Sequence, residues 1–187
     1  MFIGRTRELA ALDRLYQSDR FEFAVIYGRR RVGKTTLINQ FINDKKAIYF
    51  MGVESNAKQN LENFSRSILE METGFKAETT FLSFQAALEM VFQLAGHQRL
   101  VLVIDEYPYV ARASASLAST LQLLIDQYKE TSKLMLILCG SSMSYMEDHV
   151  LAYKAPLYGR RTAQMKILPF DFEEVCRCFP GYSAEEQ

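Results

Sequence analysis

The chain has 187 residues, of which 49% are apolar and 12% aromatic, so it can bury a core of ordinary domain size. Basic and acidic residues number 22 each, and this balance excludes a surface uniformly charged for nucleic acid. No apolar run approaches the roughly 20 residues of a membrane span, and early charged residues interrupt any signal peptide. We therefore predict a cytoplasmic protein with no membrane attachment.

Helical and strand patterns alternate along the chain. Helices are predicted at residues 2–17, 35–43, 56–72, 81–96 and 116–128. Strands are predicted at residues 21–28, 46–52, 99–107, 133–142 and 163–170. This alternation favours an α/β fold with a mainly parallel sheet and crossover helices on both faces.

The end of the chain has a pattern of its own. A helical spacing begins at Phe172 and stops at Pro180 and Gly181, which is typical of the start of another helix or domain. We therefore predict one main domain over residues 1–170 and, over residues 171–187, the beginning of a truncated C-terminal region.

The stretch "IYGRRRVGKTTLINQF", residues 26–41, carries the phosphate-loop pattern GxxxxGKT between a predicted strand and a predicted helix. Its glycines let the backbone approach a ligand, and successive N–H groups form an anion nest at a helix N-terminus. Lys34 can reach the outer phosphates, and the Thr35 hydroxyl can bind Mg²⁺. The predicted nucleotide-binding residues are Gly28, Arg29, Arg30, Arg31, Val32, Gly33, Lys34, Thr35 and Thr36.

The three arginines of this loop, Arg29 to Arg31, exceed what the pattern requires. The loop backbone faces the phosphates, so we expect most of their side chains to point outward. They can contact DNA, a partner subunit or the nucleotide phosphates, or they can simply solvate a turn.

A pair of acids follows the most apolar strand, "LVLVIDEY". Asp105 and Glu106 are predicted at the carboxyl end of this strand, the edge at which open α/β sheets bind ligands. Asp105 can hold Mg²⁺ directly or through water. Glu106 alternates away from it and can orient and deprotonate an attacking water. Taken alone, the pair would more often be two surface acids at the end of a strand.

Two later segments offer groups for the γ-phosphate. The strand over residues 133–142 ends in Ser141 and Ser142, whose hydroxyls can bind the attacking water or cap a helix. The segment "APLYGRRTAQM" carries Arg160 and Arg161. An arginine there can stabilise the γ-phosphate charge, in cis or from a neighbouring chain, or can form a surface salt bridge.

Together these segments resemble the archaeal-type ATPase family, a prokaryotic branch of the AAA+/STAND group of P-loop NTPases. The resemblance is carried, in order, by "FIGRTRELAAL", "GRRRVGKTTL", "VLVIDEYPYV", "LCGSSMSYM" and "APLYGRRT" followed by "LPF". It implies a three-layer P-loop NTPase sandwich with a five-stranded sheet in the order 5-1-4-3-2. The strand of Asp105 would then lie next but one to the loop strand.

The resemblance also implies roles for individual residues and favours ATP over GTP. Glu106 would be the catalytic glutamate, Ser141 the sensor and Arg160 the arginine. The segment near the adenine would be Ile3, Gly4 and Arg5. Members of the family typically continue into a winged-helix region, so DNA contact would be expected through the missing C-terminal region.

Two functions are predicted for this set of residues. The first is an enzyme that hydrolyses ATP with Mg²⁺ to drive or gate a conformational change, alone, as a homo-oligomer or with a protein partner. The second is a nucleotide-dependent regulatory or DNA-associated switch with little intrinsic hydrolysis. A small-molecule kinase is less favoured, because Asp105, Glu106 and Ser141 suit the activation of water and no arginine-rich lid is evident.

Overall fold

The computed structural model describes residues 4–75 and 79–170, together with Phe172, Glu174 and Cys176. The predictions for Ile3 and for most of the region 171–187 lie outside the described residues. The strands are β1 (Glu22–Tyr27), β2 (Ala47–Met51), β3 (Leu100–Asp105), β4 (Leu134–Gly140) and β5 (Ala163–Lys166).

Helices connect these strands. They are α1 (Thr6–Gln17), α2 (Lys34–Ile42), α3 (Ala57–Thr73), α4 (Phe84–His97), α5 (Tyr107–Ala113), α6 (Leu117–Tyr128) and α7 (Met143–Met146), with a π-helical turn at Glu147–Leu151. Within the described part of the chain, no helix combines the length and the apolar character that crossing a membrane would require.

The five strands form one parallel sheet in the order β2-β3-β4-β1-β5. This is the predicted order 5-1-4-3-2 read from the other edge, so the predicted fold is confirmed. Strand β4 lies between the loop strand β1 and the acidic strand β3, which places the carboxyl ends of all three side by side. Every residue of these three strands is buried, because helices cover both faces of the sheet.

The fold has three layers, with the sheet between two layers of helices. An apolar core lies on each face of the sheet. On one face, Leu12 of α1 and Leu37, Ile38 and Phe41 of α2 pack on the sheet. On the other face, α3 to α6 form the larger core, in which Phe64 stacks on Phe50 at 5.1 Å between ring centroids. The alternation of apolar side chains along each strand divides the residues between the two cores.

All five strands are shorter than the sequence predicts, and the structure shows why β3 and β5 end early. Strand β3 ends at Asp105 because Glu106 adopts a left-handed backbone conformation, with φ of 48°, and Pro108 favours the first turn of α5. Strand β5 ends at Lys166, and the next residue, Ile167, makes the last backbone bond to β1, from its N–H to the Tyr27 carbonyl at 2.7 Å. Beyond that bond β1 has turned into the loop, and β5 has no strand to pair with.

We predict that Gly28→Ala destabilises the fold. Gly28 has a φ of 155°, and a Cβ on it would lie 2.2 Å from the Ile167 carbonyl oxygen, so β1 and β5 would have to separate. The expected loss is about 2–4 kcal/mol in the free energy of unfolding, measured by urea denaturation. Gly96→Ala in α4 is the matched control: apart from the neighbouring residues and backbone of its own helix, no atom lies within 4 Å of its Cβ position, and we expect a gain of up to about 1 kcal/mol. Equal urea midpoints for the two variants would contradict the prediction.

Candidate active site

The predicted site residues converge at the carboxyl edge of the sheet. The loop over residues 28–33 follows β1, Asp105 ends β3, and Ser141 follows β4. The register pairs Tyr27 with Gly140 and Ile104 with Leu138, so the three strands end at nearly the same level. Parallel pairing through β4 therefore brings together groups that lie 35 to 70 positions apart in sequence, as for Ser141 with Glu106 and Thr35 with Asp105.

The loop encloses its lysine. Gly33 has a φ of 88° and caps α2, so the free N–H groups of the first helical turn point toward the loop. Lys34 is only 6% exposed, and its Nζ donates to the carbonyls of Gly28 at 3.0 Å and Arg29 at 2.8 Å. A buried ammonium beside unpaired helix N–H groups is a site for an anion such as phosphate.

Asp105 is held by three donors although it is only 1% exposed. Its Oδ2 accepts from the Thr35 hydroxyl at 2.9 Å and from the Tyr49 hydroxyl at 2.7 Å, and its Oδ1 accepts from the Glu106 N–H at 2.8 Å. Thr35 and Asp105, the two residues predicted to hold Mg²⁺, are thus in direct contact. Both present the oxygen atoms that Mg²⁺ prefers.

Sequence analysis missed Tyr49, which lies on the neighbouring strand β2. The register pairs Tyr49 with Val103, two residues before Asp105, so the side chains of Tyr49 and Asp105 project from the same face. Burial and the Asp105 carboxylate raise the pKa of the Tyr49 hydroxyl far above its ordinary value, so it remains a donor. Only the pairing of β2 with β3 identifies this role, because nothing in the sequence separates Tyr49 from a packing tyrosine.

Cys139, across from Asp105 on β4, is excluded as a nucleophile. It is fully buried, and both its burial and the neighbouring Asp105 raise the pKa of its thiol well above the ordinary value. The thiolate that nucleophilic attack needs is therefore not formed near neutral pH.

Glu106 and Ser141 form the second contact of the site. The left-handed turn at Glu106 directs its side chain away from Asp105 and toward the end of β4. Its Oε2 accepts from the Ser141 hydroxyl at 2.9 Å and from the Ser141 N–H at 3.3 Å. A carboxylate and a hydroxyl held together at the mouth of a phosphate loop can position a water molecule.

Two adjoining cavities open at this edge, each large enough for a phosphate group and water. The first, of about 280 Å³, is lined by Arg30, Arg31, Gly33, Lys34, Thr35, Thr36 and Glu106. The second, of about 270 Å³, is lined by Arg30, Glu106, Pro108, Tyr109, Arg112, Ser141 and Ser142. Arg30 and Glu106 line both, and the Arg30 Nη2 donates to the Tyr109 hydroxyl at 2.6 Å.

Arg160 lies at the opposite edge of the sheet. Ala163, the first residue of β5, pairs with Ala24 near the start of β1. Arg160, three residues earlier in the chain, therefore lies at the amino edge of the sheet, where the strands begin. Its guanidinium is bound by Asp126 of α6, at 2.9 Å from Nε and 2.6 Å from Nη2. The fold therefore does not bring Arg160 to the phosphate loop of its own chain, and its predicted contact with a γ-phosphate remains a prediction for a neighbouring chain.

Arg5, predicted near the adenine, contacts the back of the loop. It is 6% exposed, and its Nη2 donates to the carbonyls of Val32 at 3.1 Å and Leu168 at 2.5 Å. Its guanidinium also covers the Phe170 ring at 4.5 Å from the centroid. Arg5 thus ties the N-terminal segment, beginning at Gly4, to the loop and to the residues after β5.

A glycine-framed loop between strand and helix, with an acid pair two strands away in a parallel sheet, defines a P-loop nucleoside triphosphatase fold. The sequence matches, over residues 2–186, a family described as an ATPase domain predominantly from Archaea. The chain belongs to this family, and the resemblance drawn from its motifs is confirmed. It is therefore an ATP-binding domain of the ATPase class.

Individual proteins share sequence or fold with this chain. The chain is 37% identical to an uncharacterized protein of Methanocaldococcus jannaschii over 186 residues, all of this chain and 40% of that protein. It shares its fold with the Walker-type ATPase of Pyrococcus abyssi, at a TM-score of 0.69 and 22% identity, over 98% of this chain and 61% of the other. It also shares its fold with the Aeropyrum pernix ORC2 protein, solved in ADPNP–ADP complexes, at a TM-score of 0.62 and 18% identity, over 95% of this chain and 52% of the other. The chain thus spans less than two thirds of each of these proteins.

Proposed function

We propose that this chain binds ATP with Mg²⁺, hydrolyses the bond between its β- and γ-phosphates, and uses the reaction to drive or gate a conformational change. The observation that carries the proposal is the convergence of two contacts at one sheet edge. These are Thr35 with Asp105 at 2.9 Å and Ser141 with Glu106 at 2.9 Å, beside the buried ammonium of Lys34. The first contact offers a cation site, and the second holds a general base.

Binding would begin at the loop. The Lys34 ammonium can exchange the carbonyls of Gly28 and Arg29 for phosphate oxygens, because an anionic acceptor attracts the ammonium more strongly than a neutral carbonyl does. Thr35 and Asp105 would hold Mg²⁺, whose charge offsets that of the β- and γ-phosphates. Both side chains fit that ion. Their oxygen atoms are the kind of ligand that Mg²⁺ prefers, and the hydrogen bond between them shows that they lie close together.

Hydrolysis would then depend on Glu106. Its carboxylate can orient a water molecule and accept one of its protons, while Ser141 fixes the carboxylate through its hydroxyl and its N–H. ATP would have to replace several hydrogen bonds that the loop now makes within the chain. Their exchange favours coupling of ATP binding to a conformational change. Lys34 bonds to its own loop, and Arg30 bonds to Tyr109 at the start of α5.

The decisive experiment measures ATP hydrolysis and ATP binding on the same samples, with Mg²⁺ and with EDTA, and repeats both with GTP. Turnover that needs Mg²⁺ and prefers ATP is the expected result. Binding without turnover would replace this proposal by that of a nucleotide-dependent switch. Failure to bind ATP or ADP would refute the site itself.

The Tyr49 contact leads to a prediction about Mg²⁺. Tyr49→Phe removes one of the three donors that hold Asp105, and partners of this kind typically contribute 10- to 100-fold to metal affinity or activity. We expect the Mg²⁺ concentration for half-maximal hydrolysis to rise about 10-fold. Tyr128→Phe is the control, because the Tyr128 ring stacks on Phe92 at 5.5 Å and keeps that contact without its hydroxyl. An unchanged Mg²⁺ requirement in Tyr49→Phe would show that Asp105 needs no support from β2.

The domain boundaries and partners also remain proposals. We propose an ATPase domain over residues 1–170, followed by a C-terminal region that begins at residue 171 and provides any contact with DNA or a partner protein. A homo-oligomer would allow Arg160 to reach the nucleotide of a neighbouring chain, after release from Asp126. A cytoplasmic location is proposed with them, and the buried free thiol of Cys139 is consistent with it.

A further inference from the structure

We propose that Arg30, in the phosphate loop, is the arginine that stabilises the γ-phosphate during hydrolysis within the same chain, and that the Tyr109 hydroxyl holds it until ATP binds. This inference rests on the ATPase function proposed above and adds a residue to its mechanism. It assigns to the loop a role that the sequence suggested for Arg160.

The position of Arg30 is the first argument. Arg30 lines both the cavity over Lys34 and Thr35 and the cavity beside Ser141. Glu106 is the other residue that lines both cavities. A guanidinium at this boundary lies between Lys34, which binds the phosphates, and Glu106, which positions water. The phosphoryl group is transferred to water at this place.

The partner of Arg30 is the second argument. Its Nη2 donates to a neutral phenol oxygen, and no carboxylate of the described residues lies within ion-pair distance of its guanidinium. A guanidinium binds an anionic phosphate oxygen more strongly than a neutral phenol oxygen, because both partners then carry charge and the pair can form two parallel bonds, so phosphate oxygens can displace Tyr109. Arg160 differs, because it would first have to leave the Asp126 carboxylate.

The remaining arginines near the site fit the role less well. Arg31 lines the loop cavity and does not line the cavity that holds Ser141. Arg112 lines the second cavity without reaching the first, and its guanidinium covers the Tyr145 ring at 4.9 Å from the centroid. Arg30 is thus the only arginine, among the described residues that line these cavities, that lines both.

The chemistry requires a cation at this place. The water oxygen forms a bond to Pγ, the bond from Pγ to the bridging oxygen breaks, ADP leaves with that electron pair, and Glu106 accepts a proton from the water. Negative charge is spread over the equatorial and leaving oxygens during this step. Tyr109 lies three residues after Glu106, so releasing Arg30 from Tyr109 would also link ATP binding to the segment that carries the general base.

The test compares the full protein with Arg30→Ala, Arg30→Lys and Arg66→Ala, the last being an exposed arginine on α3. We expect Arg30→Ala to lower kcat about 100-fold or more while the Kd for ATP stays within about 3-fold, and Arg30→Lys to recover part of the rate. ADP with aluminium fluoride, which imitates the transferred phosphoryl group, should be trapped by the wild type and not by Arg30→Ala. Arg66→Ala should match the wild type in every measurement.

Two results would overturn the proposal in different ways. If the wild type hydrolyses ATP and Arg30→Ala retains kcat within about 3-fold, this inference fails and the ATPase function stands. If the wild type itself neither turns over ATP nor traps ADP with aluminium fluoride, the proposed function fails and the inference fails with it. Thermal unfolding of each variant establishes that the exposed Arg30 can be replaced without loss of the fold.

The Tyr109 hydroxyl has its own measurement. Tyr109→Phe should tighten ATP binding by about 3- to 10-fold, because Arg30 no longer has to leave a partner. The same change made in Arg30→Ala should have no effect on ATP affinity, since the bond is already absent. A gain that persists without Arg30, or weaker ATP binding in Tyr109→Phe, would show that Tyr109 does not hold this arginine.

Discussion

Glu106→Gln is expected to abolish ATP hydrolysis while leaving ATP binding intact. Glutamine has nearly the same shape, and its oxygen can still accept the Ser141 hydrogen bonds, so the site should keep its geometry. What is lost is the ability to accept a proton from water, a contribution of about 100- to 10,000-fold to the rate. The measurement is single-turnover hydrolysis beside equilibrium ATP binding on the same preparation.

A matched control for this variant is Glu130→Gln, at an exposed position after α6. It makes the same change of charge far from the site and should leave both rate and affinity unaltered. Hydrolysis by Glu106→Gln within 10-fold of the wild type, well outside the expected loss, would place the general base elsewhere. The Ser141–Glu106 contact would then be structural.

Lys34→Ala is expected to remove ATP binding almost completely. The ammonium is the buried positive charge of the loop, and its loss leaves the loop itself with only backbone N–H groups and the exposed Arg30 to bind the phosphates. Two charge-assisted bonds to phosphate correspond to a loss in affinity of about 100-fold or more. Hydrolysis at ATP concentrations near the wild-type KM should fall at least in proportion.

The loss of Lys34 also affects the loop itself. The carbonyls of Gly28 and Arg29 lose the donor that now lies 3.0 and 2.8 Å away, so the thermal midpoint must be measured beside affinity. Lys58→Ala is the control, since Lys58 is 86% exposed on α3. If a folded Lys34→Ala variant bound ATP within about 3-fold of the wild type, the loop would not be the phosphate site.

The central strands were predictable because their physical signal is local. A strand covered on both faces must be apolar at consecutive positions, and β1, β3 and β4 are continuous apolar runs that end at small or charged residues. Helix α5 was not predicted, because its first residue, Tyr107, was assigned to the strand predicted over residues 99–107. Only the left-handed turn at Glu106 separates the two elements.

The residues of the site also differ in whether the sequence predicts them. Loop residues such as Gly28 and Lys34 follow a fixed spacing, because one loop must surround one phosphate group, and a spacing is visible in sequence. Tyr49 and Tyr109 follow no such spacing. Tyr49 bonds to Asp105, 56 positions away, and Tyr109 bonds to Arg30, 79 positions away. The fold brings each pair together.

The sequence by itself determined the class of this protein: a phosphate loop, an acid pair and a serine-ended strand, in an order that only a parallel sheet with β4 in the centre brings together. Each of these groups is specified by neighbours in the chain, through backbone conformation, helix dipole or burial. The tertiary structure alone decided which arginine faces the loop. The parallel pairing of β5 with β1 sends Arg160 to the amino edge, and the packing of α5 against β4 brings Tyr109 to Arg30. Such contacts depend on strand direction and register, which no local pattern encodes.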